Sequence, residues 1–395
     1  MKSPVDTASR NELKKLKEHL VQWLSESAYP QWAAHGIDAR NGGFVEALGQ
    51  DGRALPAPRR ARVQPRQIYA FAQAPRFGWH GDLHGILRRG IDYFTANFRR
   101  NDGLFRTLVD VNGAPLDDRA LLYDQAFALL GYAAAATALD SLPEFERLAL
   151  QLRAVIERQL FAGDGAFRSS ADLDSIRESN PHMHLLEACL AWTAVGRDPG
   201  WKAWSQDLVK LALSRLLRPD SGALGEAFTE HWQPAAGLAG RIIEPGHQFE
   251  WAWLLMRSDA QSGDARTAAL RLIEIGETMG VHNRVAVNEL LDDFTIQDPN
   301  ARLWPQTERF KAALQAACLT DDPRYWSMAA AAGSSLLPYL RTPVAGLWFD
   351  MQLPNGALVV SPAQASSFYH LVGAIAALDG TIETSSAAKQ TNAEN

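Results

Sequence analysis

One short segment recurs along this 395-residue chain at nearly constant spacing: a glycine followed by aromatic or aliphatic residues. The copies are Gly43-Phe44-Val45, Gly103-Leu104-Phe105-Arg106, Gly165-Ala166-Phe167-Arg168, Gly222-Ala223-Leu224 and Gly346-Leu347-Trp348-Phe349. Successive glycines lie 60, 62, 57 and 124 residues apart, and the last gap is twice 62. A drifted copy is therefore expected near His282-Asn283-Arg284-Val285, giving six units of about 60 residues. Between the copies the apolar residues fall at helical spacing. Leu13, Leu16, Leu20, Val21 and Leu24 mark the first helix. Further helices are expected at 62–75, 83–98, 118–138, 144–160, 181–195, 201–216, 246–258, 264–279, 304–319, 324–339 and 363–377. That makes twelve, two per unit, with a Gly-rich turn and a short strand pair between pairs.

Helical pairs in series form either an open solenoid or a closed ring. Open helical repeats run to about 34–47 residues per unit, so units of about 60 favour closure. The expected fold class is all-α, an (α/α)6 barrel of about twelve helices with short β-hairpins in the loops at one end. Closure concentrates the loops, and with them a pocket, at that end. No Pro/Ser linker or charge run divides the chain. Residues 1–380 are read as one barrel domain, and the Ser/Thr/Ala/Asn-rich residues 381–395 as a frayed tail.

Composition removes several functions. Lys plus Arg number 39 and Asp plus Glu 45, so the formal charge is −6. A nucleic-acid partner needs a basic stripe and is not expected. Two cysteines, Cys189 and Cys318, make no disulfide framework and fit a reducing compartment. The start of the chain lacks the apolar core of a secretory signal. The longest apolar stretch, Phe127 to Leu139, is too short to span about 30 Å of hydrocarbon. The expectation is a cytoplasmic protein without a membrane partner. Phosphate-binding glycine loops and a Gly-x-Ser-x-Gly elbow are absent.

Chemistry concentrates at the starts of helices expected on the inner ring. His182 and His184 stand in Asn180-Pro181-His182-Met183-His184-Leu185-Leu186-Glu187, His247 in Glu244-Pro245-Gly246-His247-Gln248-Phe249-Glu250-Trp251, and His370 in Phe368-Tyr369-His370. His184 with Glu187, and His247 with Glu250, are three residues apart and share a helix face. Such a carboxylate orients an imidazole or sits beside it against a common substrate. Imidazole moves protons near neutral pH. The plainer reading of each pair is an ion pair or a capped core histidine. Arg66 opens an apolar helix after Pro65, either as a solvated residue or as a planar fork for oxygen atoms. In Arg302-Leu303-Trp304-Pro305-Gln306-Thr307-Glu308, Trp304 offers a flat face and Gln306 and Glu308 offer hydrogen bonds, a mixture that suits a sugar. Tyr123 and Asp124 form a similar cluster, with Asp124 also readable as a buried structural group. Imidazole and carboxylate suit zinc or iron as well, but Arg66 in the same pocket would oppose a cation. No metal and no cofactor are expected. Cys189, amid Leu and Ala, is read as core.

Together these motifs, with Arg66-Gln67-Ile68-Tyr69 and Tyr123-Asp124-Gln125-Ala126-Phe127, resemble the N-acylglucosamine 2-epimerase superfamily from about residue 15 to 378. The resemblance implies an (α/α)6 barrel and cofactor-independent isomerisation or epimerisation of a monosaccharide, most like the D-mannose/D-fructose type. It implies His247 and His370 as proton-transfer residues, and His184 as a third pocket histidine that opens the ring or binds its oxygens. It places Arg66 near the C1 and C2 oxygens, with Asn180, Glu250 and Trp304 as substrate contacts. Tyr123, Glu187, Arg62 and Asp124 complete the expected binding set. Arg62 stands where some relatives have an aromatic residue, and Ser366 where some have Gln. Both bear on which sugar is accepted.

The expected chemistry is proton abstraction beside a carbonyl. Neutral His247 or His370 takes the C2 proton of an open-chain aldose and leaves a cis-enediolate stabilised by Arg66. Return of the proton to C1 gives a ketose. Return to C2 from the other face gives the 2-epimer, as in enzymes of the N-acylglucosamine or cellobiose type. Two other readings stay open at this point. A glycoside hydrolase needs two carboxylates about 5–9.5 Å apart, for which Asp124 with Glu250 or Glu308 is the available pair. A non-catalytic helical scaffold would need none of these groups. A monomer or homodimer is expected.

Overall fold

The computed structural model describes residues 4–163, 165–171, 176–258 and 263–391. The helical periodicity is realised as twelve main helices. Helix α1 (Pro4–Trp23) continues through a π-type turn at Leu24–Ala28 into Tyr29–His35. It is followed by α2 (Val63–Ala72), α3 (Leu83–Phe98), α4 (Leu122–Ala138), α5 (Leu142–Leu160), α6 (Ser179–Val195) and α7 (Gly200–Leu211). The rest are α8 (Pro245–Arg257), α9 (Gly263–Gly280), α10 (Leu303–Thr320), α11 (Pro323–Leu336) and α12 (Ala365–Thr391). Even-numbered helices pack side by side in a closed inner ring, α2 on α4, α6, α8, α10, α12 and back on α2. Each odd-numbered helix covers the inner helix next to it, and α1 closes the outer layer against α11 and α12. This is the (α/α)6 barrel expected from the repeat.

The ring position explains the sequence of each helix. The inner helix α4 is buried nearly all round, and its small Ala133, Ala135 and Ala136 let neighbouring backbones approach. The outer helix α3 buries only a stripe (Ile86, Leu87, Gly90, Ile91, Phe94 and Phe98) and faces solvent elsewhere. Twelve tryptophans help to fill the space between layers. Trp32 stacks on Trp348 with ring centroids 4.9 Å apart, and Trp192 on Trp201 at 5.6 Å.

The recurrent glycine segments are the turns that precede the inner helices. Gly42, Gly103, Gly165, Gly222 and Gly346 all have φ between 72° and 94°, a region that costs an L side chain but not glycine. The drifted copy holds Arg284 at φ 73° in the same place, so the glycine signal vanishes while the turn remains. In five units a side chain of the following inner helix clamps the segment two residues beyond this position. Gln64, Gln125, Gln248 and Gln306 accept from the backbone N–H of Phe44, Phe105, Leu224 and Ala286 at 2.7–2.8 Å and donate back to the same residues' carbonyls. His182 takes the glutamine's place, its Nε2 accepting from Phe167 N–H at 3.0 Å. These clamps satisfy buried backbone groups and fix the starts of five inner helices relative to the preceding hairpins.

Short antiparallel pairs tie neighbouring units together at this end. Arg59–Arg60 pairs with Leu108–Val109, Arg177–Glu178 with Ala227–Phe228, and Ala301–Arg302 with Met351–Gln352, while Ala47–Leu48 pairs with Ala363–Gln364 and closes the circle. One expectation is corrected. Helix α4 starts at Leu122 rather than 118, because Leu121 is extended (φ −86°, ψ 136°) and Pro115–Asp117 belongs to a hairpin. Helix α12 is described as far as Thr391. Residues 392–395 lie outside the described part. Among the described residues, no helix is long and apolar enough to cross a membrane.

Candidate active site

The first turns of the inner helices point at one end of the barrel, where they surround a cavity of about 660 Å³. That volume lies within the usual range for small-molecule sites, roughly 300–1,000 Å³. Proline occupies the first turn of four of these helices, at Pro65, Pro181, Pro245 and Pro305. There its missing N–H costs nothing and its fixed φ suits the helix. Six helix N-termini directed at one space supply partial positive charge to anything negative bound in it.

The residues expected from the sequence meet here. Arg62, Arg66, Tyr123, Asn180, His184, His247, Glu250, Trp304 and His370 all line the cavity, together with Ser366. Two of the expected contacts do not. Asp124 is fully buried, hydrogen-bonded by the Thr107 hydroxyl and 3.6 Å from Arg62 Nε. It anchors Arg62 and cannot touch a sugar. Glu187 lies beneath His184, one turn deeper, and borders a second cavity of about 540 Å³ at the other end of the barrel. His182 uses both ring nitrogens structurally, donating from Nδ1 to the Glu178 carbonyl at 2.7 Å. Cys189 is buried, and that burial pushes its thiol up, away from nucleophilic use. The carboxylate pairs considered for hydrolysis, Asp124 with Glu250 or Glu308, do not meet in the cavity, because neither Asp124 nor Glu308 lines it; the carboxylates that do are Glu244, Glu250 and Asp350.

Three histidines face the cavity, and a carboxylate holds Nδ1 of each. His184 Nδ1 is 3.2 Å from Glu187 Oε2, His247 Nδ1 is 2.9 Å from Glu226 Oε2, and His370 Nδ1 is 2.8 Å from Glu308 Oε1. Each arrangement leaves Nε2 as the free nitrogen. Of these carboxylates only Glu187 was paired correctly from sequence spacing. Glu250, expected beside His247, has its Oε1 3.9 Å from His184 Nδ1 instead. Glu226 was not foreseen. It comes from the loop of the previous unit, 21 residues upstream of His247, and also accepts from Ser179 Oγ at 2.9 Å.

The histidines differ in charge. Burial penalises the imidazolium and pushes His184 and His370 down to about 4, despite their carboxylate partners. Burial opposes the charged form of His247 too, but Glu226 and then Glu244 outweigh it and hold His247 well above the usual imidazole value. At neutral pH the cavity therefore contains two neutral imidazoles and one imidazolium. Glu250 is held well above the carboxylate range, first by burial and then by the charge of Glu308. Its Oε1, Asn180 Oδ1 and Arg66 Nε have no hydrogen-bond partner. Unpaired buried polar atoms are uncommon in folded proteins, and here they face a space shaped for hydroxyls.

Aromatic rings position the cations and the reacting face. Arg66 donates to Tyr123 Oη at 2.6 Å, with its guanidinium 4.1 Å from the Phe127 ring. Trp304 lies between two histidines, its ring centroid 5.1 Å from His247 and 5.7 Å from His370. Gly246 is required beside it, because a Cβ there would collide with the indole.

Three groups of imidazole and carboxylate bring possible ligand atoms within 4.8 Å of one another: His184–Glu187–Glu250, Glu226–Glu244–His247 and Glu250–Glu308–His370. Each already contains a hydrogen-bonded imidazole–carboxylate pair. Positive charge at the site is supplied by Arg66, by protonated His247 and by the buried Lys311.

The orienting role of Glu226 has a measurable sign. His247 is an imidazolium, and so a proton donor, below its raised pKa. In Glu226→Gln the attraction is lost and that pKa falls, so the alkaline limb of kcat/KM should move down by about 1 pH unit or more. A profile from pH 5 to 10 with an unmoved alkaline limb would show that Glu226 does not set the charge of His247.

A closed helical barrel, a polar cavity at its loop end, and acid and base imidazoles beside a fixed guanidinium define an enzyme of the sugar isomerase and epimerase class. The comparisons with known proteins agree. The chain belongs to the N-acylglucosamine 2-epimerase (GlcNAc 2-epimerase) family, whose sequence profile matches residues 42–374. It is 41% identical over 378 residues to the mannose-6-phosphate isomerase of Rhizobium meliloti (strain 1021), covering 92% of this chain and 97% of that protein. A solved D-mannose isomerase superposes with TM-score 0.84 at 22% identity, covering 93% and 98% of the two chains. The cellobiose 2-epimerase of Spirochaeta thermophila DSM 6192 superposes with TM-score 0.85 at 22% identity, covering 94% and 98%.

Proposed function

We propose that this protein is a cytoplasmic aldose–ketose isomerase that interconverts D-mannose and D-fructose without a cofactor. The observation that carries the proposal is that His370, His247 and Arg66 line one cavity, with a different carboxylate holding Nδ1 of each histidine; these surroundings push His370 towards the neutral form and His247 towards the charged form. A neutral base and a charged acid are together what proton abstraction beside a carbonyl requires.

The steps follow from the positions. In the open-chain aldose, His370 Nε2 takes the C2 proton. The C–H electrons form the C1=C2 bond, and the C1 oxygen gains negative charge. Arg66 and the helix N-termini stabilise that charge, and His247 Nε2–H protonates the oxygen. His370 then delivers its proton to C1 while His247, now neutral, takes the O2 proton; C2=O forms, the ketose results, and both histidines regain their starting protonation. Trp304 holds the C–H face of the sugar, while Asn180 and neutral Glu250 take hydroxyls. The acid limb of activity falls where His370 becomes charged, at about pH 4.

One observation favours a phosphorylated substrate as a second reading. The cavity mouth carries Arg60, Arg62 and Arg302. Arg60 pairs with Glu46 and Arg62 with Asp124, whereas Arg302 is exposed and has no ion-pair partner among the described residues. The Rhizobium meliloti relative is named for mannose 6-phosphate. The test is incubation with D-mannose and, separately, D-mannose 6-phosphate in D2O, followed by NMR. Fructose carrying deuterium at C1 is the expected product. Fructose 6-phosphate alone would establish the second reading, and glucose deuterated at C2 would make the enzyme an epimerase. No exchange with any aldose would end the enediolate reading.

A further inference from the structure

Beneath the three histidines lies a charged group that proton transfer to the sugar does not itself use. Lys311 stands one turn below Glu308 on α10 and is 2% exposed. Its Nζ is 2.6 Å from Glu308 Oε2 and 3.7 Å from the centroid of the Trp253 ring. Glu308 is thus shared: Oε1 receives His370 Nδ1–H and Oε2 receives the ammonium. Both are buried among groups from every neighbouring inner helix. Arg66 and Tyr69 come from α2, His184 and Glu187 from α6, His247 and Glu250 from α8, and Tyr369 precedes His370 on α12.

A buried ammonium is costly unless paired, so its presence here calls for a reason. Glu187, Glu250 and Glu308 all act electrostatically on Lys311. Without its charge, Glu308 and His370 would together bind a further proton more readily. That proton resides either on the carboxylate or on the ring. In the first case a protonated Oε1 donates to Nδ1 and moves the ring proton to Nε2. In the second the ring is an imidazolium. Neither form presents a free Nε2 lone pair.

We propose that Lys311 is a positioning residue that acts through Glu308 to hold the proton of His370 on Nδ1, leaving Nε2 as the base for the sugar. Lys311 does not touch the substrate. The use of Nε2 rests on the proposed isomerase reading, whereas the protonation of the ring does not.

The test separates the two. In the ligand-free protein, the ring-nitrogen chemical shifts of 15N-labelled His370 report tautomer and titration without any sugar. Wild type should show a neutral ring protonated at Nδ1 at neutral pH. Lys311→Gln keeps a donor for Glu308 but removes the charge, and should raise the His370 titration midpoint by about 1–2 pH units. The acid limb of kcat/KM should rise by the same amount, with KM changed little on the plateau. Lys311→Arg should restore the wild-type midpoint. Lys311→Met, which also removes the charge, serves if the glutamine variant is unfolded. A folded Gln or Met variant with the wild-type midpoint would overturn the proposal, as would a wild-type ring protonated at Nε2. A shifted midpoint in a protein that acts on no aldose would uphold the Lys311 assignment and overturn only the isomerase reading.

Discussion

Alanine at His370 should lower kcat by about 10²- to 10⁴-fold, the usual contribution of a positioned general base, while KM for the aldose changes only a few-fold. The reason lies in what His370 is and is not. Its ring is neutral near pH 7 because burial outweighs the Glu308 carboxylate, and the free nitrogen borders the cavity beside Trp304. None of the sugar contacts offered by Asn180, Glu250 or Arg66 depends on it, so binding survives. His247→Ala should produce a different deficit. The base is still present, so enediolate forms slowly, but the proton donor to oxygen is gone. Exchange of the C2 hydrogen with D2O should then outlast net product formation. Single-turnover NMR in D2O measures both quantities on the same sample. A folded His370→Ala protein with wild-type C2 exchange would remove His370 as the base and transfer that role to His184 or His247.

How much of this site could be read from the chain depended on where each partner sits. Arg66 and His247 stood out in the sequence because proline marks the helix starts that carry them, and Trp304 because a flat face stands there beside hydrogen-bonding residues, whereas Asn180 came from the family resemblance. His184–Glu187 was legible because both residues occupy one helix face. Glu226 was not, because a hairpin of the preceding unit delivers it and no periodicity connects a loop to a helix 21 residues later. Lys311 was hidden for a different reason. A lysine three residues after a glutamate on a helix usually signals a solvated ion pair, and only ring closure shows that this pair is in the barrel floor. His182 misled because a histidine after Pro181 reads as chemistry, whereas the other units put glutamine in its backbone clamp. At fold level the six-unit period survived even where glycine did not, since Arg284 accepts the same backbone turn.

Arg66→Lys should cost about 10²- to 10³-fold in kcat, although charge is conserved. Arg66 offers a planar guanidinium held from several directions: Nη2 donates to Tyr123 Oη, Phe127 lies 4.1 Å away and Tyr369 5.3 Å away. Its Nε is buried and has no hydrogen-bond partner. Lysine loses the fork and the stacking, and its flexible ammonium is not fixed where charge develops. Loss of one preorganised donor to an oxyanion costs about 2.7–4 kcal/mol in such sites, which is the expected fold-change. A second consequence distinguishes oxyanion stabilisation from simple positioning. A sugar hydroxamate, which imitates the planar enediolate, should bind Arg66→Lys more weakly by a factor close to the loss in kcat/KM. The corresponding alditol has no such charge and should bind almost as before. Equal weakening of both ligands would mean that Arg66 serves ground-state binding, since only interactions stronger in the transition state accelerate the chemical step. In that case the helix N-termini and His247 would carry the developing charge between them.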